Sequence, residues 1–212
     1  MIFETLVTTV APDGRVHFAP MGARYAGDEV VLMPFKPSAT LDNIVGSGCA
    51  VLNLTTDVRV FAGCVTGRRE WPTLPAERIA GERLVSALAH VELRLLRCDD
   101  DAQRPVLHLE RVCERTHAPF PGFNRAQAAV IEGAVLVSRL RLLPPEKVDD
   151  EMTYLQIAID KTAGPAEREA WSWLTTAVAE FRSPAGKAGN VESRAPATAE
   201  TLAVGPAGKL HA

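Results

Sequence analysis

The chain has 212 residues, of which 47% are hydrophobic and 23% charged, the composition of an average globular protein with room for one or two domains. Its 23 basic and 26 acidic residues leave a net charge of −3, too near neutral to suggest nucleic acid or an anionic membrane as partner. No apolar run reaches the roughly 18 residues of a membrane span, and Met1-Ile2-Phe3-Glu4 lacks the basic region of a secretory signal, so a cytoplasmic protein is expected.

Glu4–Val10 is rich in β-branched residues and reads as a strand. Asp13-Gly14 then signals a hairpin, with the return strand running from Val16 to about Tyr25. Pro20 lies inside that strand and cannot donate to a ladder, so it marks an edge, a bulge or a stretch facing something other than a strand. Gly27-Asp28 turns the chain into a strand over Glu29–Met33, and a short helix from Ser38 to Val45 follows, closed by Gly46 and Gly48. Cys49–Thr55 is the next strand, and Val85–Arg97 and Pro105–Arg115 form a longer antiparallel pair. Beyond it the pattern is helical. Asn124 with Gln127 fits a capping box opening a nearly buried helix to Leu143, which Pro144-Pro145 ends. A second helix covers Glu146–Lys161, and a third starts at Gly164-Pro165 with an apolar face of Trp171, Leu174, Val178 and Phe181. Residues 183–212 hold eight Ala, four Gly, three Pro and no aromatic, so a disordered tail is expected there. The fold class is α+β, a small barrel or sheet followed by three helices.

Three segments carry candidate chemistry. Pro34–Asn43 follows a strand, opens a helix, and gathers Lys36, Ser38, Thr40 and Asn43, the set of one cation and neutral donors that a phosphate monoester needs. The same residues fit a plain reading, with Ser38 or Thr40 capping the helix and Lys36 solvated. His17–Gly22 puts small residues and a proline in a strand, where a flat ligand can approach the backbone, or where an edge merely bulges. Asn53 in mid-strand is a structural amide or a ligand contact. Other residues suggest less. His108 and Glu110 share a strand face but are too few for a metal site. His17, His90 and His117 are scattered, the cysteines Cys49, Cys64, Cys98 and Cys113 form no C-x-x-C pair, and there is no G-x-G-x-x-G or Walker motif.

In order along the chain stand T-T-V-x-x-D-G-R-V-x-x-A-P-M-G from Thr8, P-F-x-x-S-x-T-x-x-N-I from Pro34, V-L-N-L-T-x-D from Val51, and F-N-R-A-x-x-A-V-I-E-G-A-V-L-V-S-R-L from Phe123. Together they resemble the FMN-binding split-barrel superfamily of flavin reductase-like and pyridoxamine phosphate oxidase-like proteins, and within it the DUF447 family, over residues 2–182. The resemblance implies a split β-barrel over residues 1–120, a three-helix segment over 121–182, and a homodimer with FMN near its interface. It also implies that Phe35, Lys36, Ser38, Thr40 and Asn43 hold the phosphate and that the isoalloxazine lies against Ala19, Pro20, Met21 and Gly22, with Asn53 and Thr55 nearby. Many relatives carry an arginine near the Pro-Phe pair. Here Leu32-Met33 precede Pro34, which throws phosphate neutralisation onto Lys36, Arg24, Arg59 or an arginine of the other subunit. An oxidoreductase using bound FMN is the activity implied. The alternatives are a flavin carrier or sensor without turnover, and a barrel adapted to another phosphorylated or deazaflavin ligand.

Overall fold

The computed structural model describes residues 1–183; apart from Ser183, the expected tail lies outside the described residues. Strands β1 (Phe3–Val10) and β2 (Val16–Ala26) form the first hairpin, with Val10 opposite Val16. Gly14 closes the turn at φ 84°, a value that a side chain would strain. Strand β3 (Glu29–Leu32) leads into helix α1 (Ala39–Ser47). Ser38 caps α1 by accepting the N–H of Leu41, and Gly48 ends it at φ 71°. Strand β4 (Cys49–Leu54) follows, and then helix α2 (Arg59–Val65) and the short hairpin of β5 (Thr73–Pro75) and β6 (Glu82–Leu84). Strands β7 (Ala89–Asp99) and β8 (Val106–Thr116) complete the sheet. Helices α3 (Arg125–Ser138), α4 (Pro145–Thr162) and α5 (Pro165–Arg182) come last.

The six long strands close an antiparallel barrel in the order β1-β2-β3-β8-β7-β4, with β4 returning to β1. Alternate residues of each strand point inward. Val7, Met21, Leu32, Leu52, Leu93 and Leu107 meet there, and Leu41 and Ile44 of α1 plug one end. The other face of β1 is covered too: Leu6 packs with Phe18, Val60 of α2 and Leu84 of β6. The helices form a second core, in which Val130 and Ala134 of α3 pack with Ile159 of α4 and with Trp171 and Leu174 of α5. Val58 and Ala62, at the start of and within α2, belong to this second core.

Two expected boundaries move. The helix from Asn124 stops at Ser138 rather than Leu143, because the backbone tightens into turns ahead of Pro144-Pro145, where the residue before a proline disfavours α geometry. The strand expected from Val85 starts at Ala89, since Val85 and Leu88 bond to Pro72 and Leu54 outside the β7 ladder. No helix among the described residues is long and apolar enough to cross a membrane.

Candidate functional site

The barrel is incomplete along one edge. Strand β2 pairs with β1 from Val16 to Ala23, but with β3 only from Ala23 to Ala26. On the side away from β1, the Val16–Gly22 backbone therefore faces no strand. Pro20 falls within this stretch, where its missing N–H costs no ladder bond. Part of the edge is covered by α2, whose Cys64 Sγ lies 3.6 Å from the Phe18 carbonyl. The side chains of Ala19 and Met21 point into the barrel core, Pro20 is buried, and a Cβ on Gly22 would come within 2.7 Å of Ile2 Cγ2. What the ribbon can offer a ligand is thus main chain, not side chains.

Helix α1, which plugs one end of the barrel, shares a hollow with the start of this edge. The side chains of its first turns point inward: Ser38 is 1% exposed and Thr40 0%. Asn43 Nδ2 donates to Thr9 Oγ1 at 3.0 Å, tying α1 to the barrel. Upstream, Lys36 N–H donates to Gln103 O at 2.8 Å, which docks the loop on the turn between β7 and β8. Lys36 Nζ is ion-paired with Asp100, and that hydrogen bond raises the lysine pKa above its ordinary value. Arg104, from the same turn, sits with its guanidinium carbon 4.4 Å from the Phe35 ring centroid and donates from Nη2 to Met33 O at 3.1 Å. No carboxylate pairs with this guanidinium among the described residues, and its buried Nε has no hydrogen-bond partner among them. Burial first, then the charges of Arg24 and Arg139, push the Arg104 pKa down. Three cations thus share one neighbourhood.

Between β2 and α1 lies a hollow of about 880 Å³. Its walls include His17 and Phe18 of β2, Ala39 and Asn43 of α1, and Arg69 and Trp71 from the segment after α2. The Trp71 indole N–H is buried with no partner among the described residues. A buried donor without an acceptor is uncommon and calls for an explanation. The volume falls within the range of cofactor pockets.

The remaining expected residues sit elsewhere. Asn53 is fully buried; its Nδ2 lies 3.1 Å from both Leu6 O and Thr8 Oγ1, and its Oδ1 accepts the Leu84 N–H at 2.8 Å. Its amide is spent inside the protein. Thr55 Oγ1 donates to Ser86 O and accepts from the Asp57 N–H. Arg59 is held by Asp57 through two bonds of 2.8 Å, so its charge is already met. His108 is bracketed by Glu29 at 2.9 Å and Asp99 at 3.2 Å, and no group of three metal-ligating side chains is found among the described residues. Arg104 and Trp71 carry no local motif; only their placement reveals them.

Comparison with known proteins agrees with this architecture. The family model described as "Protein of unknown function (DUF447) N-terminal domain" matches residues 3–118, and that for "Protein of unknown function (DUF447)" matches residues 124–176. An FMN-bound DUF447 protein from Methanosarcina mazei superposes with a TM-score of 0.71 at 22% identity, covering 83% of this chain and 94% of its own. Flavoredoxin from Methanosarcina acetivorans scores 0.47 at 14% identity over 55% of this chain and 69% of its own. The 2-nitrobenzoate 2-nitroreductase of Pseudomonas fluorescens scores 0.47 at 23% identity over 53% and 64%. The two family matches together span most of the folded chain, which therefore belongs to the DUF447 family.

Proposed function

We propose that the chain binds FMN across the first turn of α1, with the isoalloxazine in the hollow beside β2 and the phosphate at the Phe35–Ser38 shoulder. One observation carries this reading: the β2 edge with no strand partner shares a hollow with α1, and a guanidinium, Arg104, with no carboxylate lies against Phe35 in the loop that leads into α1. The main chain of Val16–Gly22 would meet the polar edge of the ring. Arg104 with Arg24 would meet the phosphate, in place of Lys36, which Asp100 neutralises. Ser38, Thr40 and Asn43 hold α1 in position from within. The FMN-bound family member from Methanosarcina mazei supports the choice of cofactor. Bound FMN supplies hydride and electron transfer, and the chain's part is to bind it, orient it and shield one face from water. On this reading the protein is an oxidoreductase working as a homodimer. A flavin carrier without turnover is the other class, and oxidation of reduced nicotinamide in the presence of FMN separates the two.

The binding test compares FMN with riboflavin by fluorescence titration. A phosphate site at Arg104 makes FMN the tighter ligand. Arg104→Ala then lowers FMN affinity about 10- to 100-fold, the worth of one or two charge-assisted bonds, and leaves riboflavin unchanged. Equal affinities in the wild type would remove the phosphate assignment.

A further inference from the structure

The segment after α2 reaches the hollow by a tight return. Gly67 turns the chain at φ 84°, and the Arg68 N–H donates back to Gly63 O at 2.9 Å. Trp71 then lines the hollow together with Phe18 of β2. It packs against the cluster that Phe18 forms with Leu6, Val60 and Leu84. None of the described residues of α2 or α5 lines the hollow, yet both helices touch Trp71. A Cβ on Gly63 of α2 would lie 2.5 Å from Trp71 Cζ2, so the indole settles there only over a glycine. Trp173 of α5 meets the same indole with ring centroids 6.4 Å apart and planes tilted by 49°. The Trp173 ring in turn carries the Arg68 guanidinium, whose carbon lies 4.3 Å from the centroid. Trp71 is therefore backed, on the side away from the hollow, by α2 and α5.

These contacts also decide which part of the indole meets the hollow. Nε1 and Cζ2 are both bonded to Cε2 and lie along one edge of the ring system. Cζ2 rests on Gly63 and Nε1 is buried, so the N–H edge is turned toward the protein. What Trp71 presents to the hollow is carbon. Carbon surface from Trp71 and Phe18, beside a strand edge that offers main-chain N–H and C=O groups, suits a flat ring whose polar atoms lie at its rim.

We propose that Trp71 is the residue that selects a flat heteroaromatic ring in the hollow, and that Gly63 and Trp173, which do not line it, are the positioning residues of Trp71. The inference rests on the flavin-binding reading and adds to it a ring contact and a means of setting the hollow's width. Helix α2 cannot retreat from a larger side chain, because Val60 is fixed in the cluster with Leu6 and Phe18 and Ala62 in the core with α3 and α5. Nor does a Cβ on Gly63 find room sideways, with Arg68 O at 3.2 Å and Arg68 Cβ at 3.3 Å. A methyl group at Gly63 therefore drives the indole forward, into the space a bound ring would occupy.

Fluorescence titration with riboflavin and FMN tests this. Gly63→Ala, an exchange that by itself favours the helix, should weaken both probes about tenfold or more. Trp71→Ala should do the same, while Trp71→Phe keeps both within about threefold. Trp173→Leu should weaken both about three- to tenfold, and Trp173→Phe should recover most of the loss. The ratio of FMN to riboflavin affinity should keep its wild-type value throughout, whereas a lost phosphate contact changes that ratio. A second readout separates ring contact from mere folding. At saturation, where only filled protein is seen, riboflavin emission should be quenched by the neighbouring indole in the wild type and recover several-fold in Trp71→Phe. Wild-type riboflavin affinity in Gly63→Ala, or unchanged emission in Trp71→Phe, overturns the proposal and leaves flavin binding standing. If Gly63→Ala lowers the melting temperature, the emission of Trp71→Phe decides alone. A wild type that binds neither probe overturns both readings.

Discussion

Replacing Asn53 by alanine tests whether this amide serves the fold or a ligand. Its Nδ2 faces three acceptors, Leu6 O and Thr8 Oγ1 at 3.1 Å and Val51 O at 3.3 Å, and two protons can satisfy two of them. Its Oδ1 is the acceptor for the buried N–H of Leu84. The substitution removes about three hydrogen bonds, each worth roughly 1 kcal/mol net, and leaves one backbone donor stranded at a further cost of about 1–3 kcal/mol. Allowing for partial relaxation, Asn53→Ala should destabilise the protein by about 3 kcal/mol. With a urea dependence of about 2 kcal/mol/M, the midpoint would fall by about 1.5 M. Thr8 shares the network, since its hydroxyl also donates to Glu82 O, so Thr8→Val and Asn53→Ala should combine less than additively. A loss below about 1 kcal/mol would refute the structural account. Intact stability with lost flavin affinity would return Asn53 to the binding site.

Gly133→Ala should cost about 1–3 kcal/mol despite alanine's better helix propensity, because its Cβ would lie 2.8 Å from Trp171 Cζ3 and 3.1 Å from Leu174 Cδ1; a raised melting temperature would contradict the tight α3–α5 contact. Lys36→Ala should leave FMN affinity within about twofold, since Asp100 already meets the lysine charge; a drop as large as that expected for Arg104→Ala would return the phosphate to Lys36.

What the sequence made legible was local. Asp13-Gly14 specifies its turn because only glycine takes a φ of 84° without strain, and Ser38 and Asn124 announce their helices because the capping oxygen sits within three residues of the N–H it accepts. The order of motifs carried the family. The structure brings α1 and the start of β2 onto one hollow, but the side chains there are oriented by tertiary packing that no local pattern encodes. Arg104 reaches Phe35 only because β8 pairs with β3, with Leu107 opposite Leu32. His90 and His117 look scattered until the β7–β8 register sets Ala89 opposite Thr116. Helix α2 and the three-residue strands β5 and β6 are too short for periodicity to register, and α2 has no side-chain cap to announce it.

Helix α2 also bears on where the protein divides. A boundary near residue 120 separates barrel from helices in the sequence, and the two family matches part between residues 118 and 124. The packing runs across that line. Val60 of α2 lies in the cluster with Leu6 and Phe18, on the outer face of the first hairpin, while Ala62 two residues on lies in the core with α3 and α5. Arg59 reinforces the join through Glu169 of α5, at 3.5 Å. A helix of seven residues without a capping side chain has little stability of its own, so α2 is held by what packs on its two faces. Since α2 also covers part of the β2 edge, the shape of the hollow depends on α3 and α5 even though neither contributes a residue to its wall. The helical segment is therefore part of the scaffold that shapes the hollow, and through α2 it covers part of a strand edge that would otherwise be a liability for pairing with another chain.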